Sequence, residues 1–148
     1  MALSRDIETI RRTELFSGFS VDQLRLIAFT VTRFARETGQ VLFEEDAESL
    51  GAYLVADGTL QLEAGGRSAG IAGAGSLLAE AALISPVPHR VRAIAAEPAD
   101  ILLIRRDQFL RLIEEYPDIA SEMDRRLRRN FAEMVSALSA VKTRLSDF

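Results

Sequence analysis

The residues best suited to chemistry lie in one stretch of the chain. Gly73 to Pro88 opens on glycines, passes through helix-favouring Leu77 to Leu83 with Glu80 inside it, and ends at two prolines. His89, Arg90 and Arg92 follow at once. His89 is the only histidine among 148 residues, and there is no cysteine. A metal site built on several histidines or thiolates is therefore excluded, as are a cysteine nucleophile and a disulfide framework. Ser-His-Asp chemistry would have to use His89, yet no G-x-S-x-G motif accompanies it. The glycines of Gly73-Ala74-Gly75 lack the G-x-x-x-x-G-K-[ST] of a triphosphate loop. What remains is recognition: the chain is expected not to be an enzyme, and to carry neither metal nor resident cofactor. A second charged cluster, Arg125-Arg126-Leu127-Arg128-Arg129, could meet a polyanion. With Asp118, Glu122, Asp124 and Glu133 nearby, it reads instead as a solvated helix face.

The elements that must position these residues follow from composition and periodicity. With 48% hydrophobic and 27% charged residues, one compact domain with a sizeable core is expected. A net charge of −4 argues against a general nucleic-acid surface. The N-terminus lacks the apolar run of a signal peptide, and no stretch approaches a membrane span of about 18 apolar residues. A cytoplasmic protein is the expectation.

Ile7, Ile10, Leu15 and Phe16 predict a short amphipathic helix over Ser4 to Phe16. Ser20-Val21-Asp22-Gln23 has the form of a capping box for a second helix. β-branched and aromatic runs broken by turn residues then predict strands at Val31–Arg36, Val41–Glu44, Ala52–Ala56, Thr59–Glu63, Ser68–Ile71, Arg90–Ala95 and Ile101–Arg105. Asp57-Gly58 is the clearest hairpin signal, with Gly65-Gly66 marking the next turn. An antiparallel sandwich or barrel follows, interrupted by the Gly73–Pro88 excursion, and such a long excursion in a small β domain suits a functional loop. Phe109, Leu112 and Ile113 mark a helix that breaks at Tyr116-Pro117. Beyond it, Leu127, Phe131, Met134, Leu138, Val141, Leu145 and Phe148 recur at alternating spacings of four and three. That seam suits a parallel homodimer, or packing back on the chain's own β domain. The division expected is residues 1–127 for the domain and 128–148 for a helical extension.

Several segments, taken in order, resemble the cyclic-nucleotide-binding domains of the catabolite activator protein, the kinase regulatory subunits and the nucleotide-gated channels. Leu15-Phe16-Ser17-Gly18-Phe19-Ser20 is similar to that family's entry motif, and Gly39-Gln40-Val41-Leu42-Phe43 to its G-x-x-[IL]-[FY]. Tyr53 to Leu62 resembles Y-[IL]-[IV]-x-x-G-x-[VL]-x-[VL], and Ile101 to Phe109 the strand and helix entry after the ligand loop. The resemblance implies a mainly β fold: an antiparallel, jelly-roll-like β-roll with N-terminal helices and a long C-terminal helix.

It also implies that the excursion is the phosphate-binding cassette, F-G-E-[LI]-A-L-x(5)-R-x-A-[ST]. Glu80 then matches the carboxylate that accepts the ribose hydroxyl, and Ala81 and Ala82 would offer backbone donors to the phosphate. Three positions depart from the pattern. Ala79 stands for the glycine, His89 for the phosphate arginine, and Arg90-Val91-Arg92 for x-A-[ST], with Arg92 close to the expected purine. Arg90 could replace the missing guanidinium if a local bulge turned it inward. Arg126 or Asn130 would cap the base. The implied function is a stand-alone sensor of cyclic AMP or cyclic GMP that signals through its C-terminal helix to an unknown effector protein. The alternative is a degenerate fold that no longer binds nucleotide and serves as an interaction or dimerisation module. No DNA-binding module is expected after Phe148.

Overall fold

The computed structural model describes residues 2–126. The seam from Leu127 onward and Asn130 lie outside the described residues. Among the described residues lie eight strands, three helices and a further helical segment. Helices α1 (Ala2–Arg11) and α2 (Val21–Ala28) lead into strands β1 (Val31–Arg36), β2 (Val41–Phe43), β3 (Gly51–Asp57), β4 (Leu60–Ala64) and β5 (Arg67–Ala72). The two-residue strand β6 (Leu77–Leu78), a 3₁₀ turn over Glu80–Leu83, β7 (Arg92–Ala95), β8 (Ala99–Arg105) and α3 (Arg106–Glu115) complete the order. Residues 117–126 are again helical.

The strands form two four-stranded sheets, β1-β8-β3-β6 and β2-β7-β4-β5, with antiparallel pairing throughout. This is the jelly-roll arrangement that the sequence predicts. β3 and β8 pair from Gly51↔Arg105 to Val55↔Ile101 and are covered on both faces. That explains why their sequences are unbroken apolar runs rather than alternating ones. Ala52, Leu54, Leu102 and Ile104 face a core shared with Ile10, Phe16, Leu24, Ile27 and Phe109 of the helical layer. Tyr53, Val55, Ile101 and Leu103 face a second core between the sheets, with Phe43, Leu60, Ala93 and Ala95.

Several expected boundaries move, each for a local reason. The first helix stops at Arg11 rather than Phe16, and Thr13 closes the end by donating from its hydroxyl to the Ile10 carbonyl at 2.7 Å. The capping box forms as expected, the Gln23 N–H donating to Ser20 Oγ at 3.1 Å and the Ser20 N–H to Gln23 Oε1 at 2.9 Å. Asp57-Gly58 is not a hairpin. β3 and β4 belong to different sheets, so the turn carries the chain from one layer to the other. Gly58, at φ +86°, is required because a Cβ there would lie 2.4 Å from the Pro98 carbonyl oxygen. The true hairpin joins β4 to β5 through Gly65 and Gly66, whose φ of +59° and +78° give the primed turn that matches strand twist. β6 went unpredicted because two residues carry no periodicity. β7 starts at Arg92 rather than Arg90, leaving Arg90 in a bend.

Gly51 fixes how closely β3 approaches β8, since a Cβ there would lie 2.0 Å from the Ile104 carbonyl oxygen and 2.9 Å from the Arg105 Cα. Those are backbone atoms of a central strand and cannot move cheaply. Gly51→Ala is expected to lower stability by roughly 1–3 kcal/mol in urea denaturation, the usual cost of overpacking. An unchanged midpoint would contradict this account of the contact.

Candidate functional site

The excursion between β5 and β7 is fastened in both cores. β6 pairs with β3 through Leu77↔Leu54 and Leu78↔Tyr53. Ala79 then turns the chain at φ +61° and ψ +44°, a left-handed conformation that costs an alanine roughly 1 kcal/mol and a glycine almost nothing. The 3₁₀ turn that follows buries Ala82 and Leu83 completely, with Leu83 in the helix-side core. The returning limb is held against residues 46–48. The His89 N–H donates to the Ala47 carbonyl at 2.9 Å, the Asp46 N–H donates to the His89 carbonyl at 2.8 Å, and Pro88 forms a bridge with Glu48.

Two cavities flank this turn. The first, of about 250 Å³, is lined by Phe43, Leu78, Ala79, Glu80, Ala81 and Val87 through Val91. The second, of about 400 Å³, is lined by Thr13, Glu14, Leu15, Leu62, Ile71, Ala72 and Gly75 through Leu78, together with Glu80. Leu78 and Glu80 line both. A carboxylate thus stands where a cavity bearing Arg90 and His89 meets one that mixes the aliphatic side chains of Leu62, Ile71 and Leu77 with the polar groups of Thr13, Glu14 and Ser76. Together the cavities are of the size of small-molecule pockets, about 300–1,000 Å³.

The structure brings Ala79, Glu80, Ala81, His89 and Arg90 to one cavity and leaves three other candidates elsewhere. Ala82 is buried, and its N–H already donates to the Ala79 carbonyl at 2.9 Å, so it is not available to a ligand. Arg92 lies in the sheet, where its Nε meets Glu44 Oε2 at 3.1 Å and its Nη1 meets Glu63 Oε2 at 3.5 Å. It lines neither cavity, because the register Glu63↔Arg92 places it beside an acid on β4. Arg126 docks on the turn after α1, with Nη1 at 3.5 Å from both the Glu14 carbonyl and Ser17 Oγ and with Nε at 3.3 Å from Glu122. Gly18 makes room for it: a Cβ there would fall 2.0 Å from Nη2.

His89 and Arg90 differ sharply, although both line the first cavity. Arg90 is exposed in its bend. The His89 ring is only 4% exposed and stacks on Phe43 at 3.8 Å and 9°, with the Tyr53 ring at 5.9 Å. Burial pushes its pKa below the ordinary value. Near neutral pH it is an uncharged aromatic packing element, which leaves Arg90 as the cation of the first cavity.

Two features escaped sequence analysis. The aliphatic wall of the second cavity comes from Leu62 and Ile71 on β4 and β5 and from Leu77 on β6, and the pairing that assembles them is invisible in one dimension. Arg106 and Ser49 hold the excursion from behind. The Arg106 guanidinium donates to the carbonyls of Ser49, Ala82 and Ser85 at 3.0, 3.2 and 3.3 Å, and Ser49 Oγ donates to the Val87 carbonyl. Among the described residues no group of three or more His, Cys, Asp or Glu could hold a metal. Nor is any helix there long and apolar enough to cross a membrane.

The fold is thus a jelly roll whose partly helical excursion lines a cavity with a carboxylate and an arginine. The cyclic nucleotide-binding domain profile matches residues 34–116, and the chain belongs to that family. It is 26% identical over 129 residues to the cyclic AMP receptor protein of Thermus thermophilus, covering 84% of this chain and 60% of that protein. A cyclic nucleotide-binding-like protein from Brucella abortus is 32% identical, with a TM-score of 0.66 over 74% of this chain and 97% of that one. The N-terminal domain of a transcriptional regulator from Streptomyces coelicolor has the same fold at 19% identity, with a TM-score of 0.83 over 88% of this chain and 94% of that one.

The burial of His89 carries a sign that can be tested. Its folded-state pKa lies below the unfolded value near 6.5, so the unfolded chain binds the proton more readily. The stabilisation is complete above pH about 6.5 and is lost as pH falls through that value towards the folded-state pKa. Between pH 6.5 and 5, denaturant midpoints of the wild type are expected to fall on acidification, while His89→Gln flattens the slope. Equal slopes in the two proteins would contradict it.

Proposed function

We propose that this domain is a regulatory module that binds a cyclic nucleotide, cyclic AMP or cyclic GMP, across the two cavities that meet at Glu80. The observation that carries the proposal is that junction of a cation-bearing cavity with one that offers aliphatic side chains beside polar groups. In this arrangement the cyclic phosphate enters the first cavity beside Arg90 and the Ala81 backbone. Glu80 accepts the hydrogen bond of the ribose hydroxyl, and the base lies against Leu62, Ile71 and Leu77. Arg90, not His89, supplies the permanent charge, and His89 shapes the wall. The name of the Thermus relative supports cyclic AMP as the first ligand to test. The module's output is a population shift carried by α3 and the C-terminal helix, to a cytoplasmic partner and through a homodimer seam at residues 127–148.

A second proposal is the degenerate module that serves only for interaction. It is favoured by Ala79, which occupies a left-handed conformation at the position of the family's glycine, and by the engaged N–H of Ala82. Calorimetric titration with cyclic AMP, cyclic GMP and cyclic di-GMP separates the two. Binding of a mononucleotide is expected, with Arg90→Ala weakening it ten- to a hundredfold, the equivalent of about 1.5–3 kcal/mol for a charged hydrogen bond. Glu80→Ala is expected to weaken it as well. No heat and no thermal shift with any of the three at millimolar concentration would establish the second proposal instead. In sedimentation, a dimer that Leu138→Asp dissociates is expected, and a monomeric wild type at high concentration would contradict the seam.

A further inference from the structure

Arg106 solves a hydrogen-bonding problem that the excursion creates for itself. The 3₁₀ turn ends at Leu83, and the next two amides, Ile84 and Ser85, both donate to the Ala81 carbonyl, at 3.3 and 3.2 Å. The amide that a continuing α-helix would offer to the Ala82 carbonyl belongs to Pro86, which has no N–H. Pro88 offers none either. The Ala82 carbonyl therefore needs a donor from outside the segment, while the Ser85 carbonyl accepts from the Val87 N–H at 2.8 Å and has a second lone pair to offer.

Arg106 brings them from the first turn of α3. Its Nη1 donates to Ala82 and Ser85 at 3.2 and 3.3 Å and lies 3.4 Å from Ser49 Oγ, while Nη2 donates to the Ser49 carbonyl at 3.0 Å. The Arg106 backbone N–H donates to the Leu50 carbonyl at 2.8 Å. Ser49 is fully buried and extends the network to the Val87 carbonyl. A planar guanidinium can span acceptors on two chain segments at once, and a lysine ammonium cannot reproduce that fork.

We propose that Arg106 is the positioning residue of the ligand cavity: it replaces the hydrogen bond to Ala82 that Pro86 cannot make, adds a second to Ser85, and so joins the cavity's wall to the N-terminus of α3. Ligand affinity and the order of α3 are then coupled through one side chain that does not itself line the cavity. The coupling to ligand rests on the nucleotide-binding reading, whereas the clamp stands without it.

Amide hydrogen exchange on the full chain, without and with cyclic AMP, tests both parts in wild type, Arg106→Gln and Arg106→Lys. Without ligand, Arg106→Gln is expected to speed exchange at Ile84, Ser85 and Val87 at least tenfold, with Leu54 and Leu102 in the central strands within twofold of wild type. Arg106→Lys, read in the same way should the glutamine variant not fold, is expected to give a smaller effect of the same pattern. Unchanged exchange in the excursion, or a parallel rise in the central strands, would overturn the clamp. In calorimetry, cyclic AMP affinity is expected to fall at least tenfold in Arg106→Gln. Unchanged affinity would overturn the coupling to ligand. Absence of cyclic AMP binding by the wild type would overturn the nucleotide reading and the coupling alike, leaving the exchange result to decide the clamp.

Discussion

The rest of the structure depends on the two-sided burial of β3 and β8. Because these strands are covered by helices on one face and by the second sheet on the other, the domain has two cores divided by one layer. The excursion is fastened in both. Leu83 enters the helix-side core, and His89 packs on Phe43 at the edge of the core between the sheets. Ala79, Glu80 and Ala81 lie between β6, which is paired with β3, and the buried Leu83, and they line the first cavity. The cavities are a consequence of that anchoring, and the side chains around them decide what can enter.

Much of this was legible in the sequence. The β-roll, the positions of seven strands, the capping box and the partly helical excursion between two strands follow from periodicity, turn residues and family resemblance. Where the structure departs from the sequence reading, the causes are physical. Asp57-Gly58 suits a tight turn, but local turn chemistry does not state whether the flanking strands pair, and here they enter different sheets. Arg92 was assigned to the site by motif position, whereas strand register gives it Glu44 and Glu63 as partners. Ala82 was offered as a backbone donor, yet the tightness of a 3₁₀ turn consumes its N–H. Arg106 had no sequence signature, because its role arises from acceptors supplied 21 and 24 residues earlier in the chain.

The departures from the family's cassette pattern are mutually consistent. Histidine at position 89 is short enough to fold inward and stack on Phe43, where a guanidinium would be expensive to bury. The next residue, Arg90, then falls in a bend with its side chain exposed at the same cavity. The change therefore moves the cation by one residue rather than removing it. Ala79 is different: it keeps the backbone geometry that a glycine would favour and bears a modest strain for it. That strain lies at the rim of the cavity, where backbone and ligand would approach each other most closely.

The central claim is that one ligand occupies both cavities with Glu80 between them. Backbone chemical-shift mapping of the labelled chain during titration with cyclic AMP tests it most directly. The account predicts concerted, saturable shifts at Ala81 and Arg90 on one side of Glu80 and at Leu62 and Ile71 on the other, all with one binding constant. Shifts confined to one side, or none at millimolar nucleotide, would contradict it.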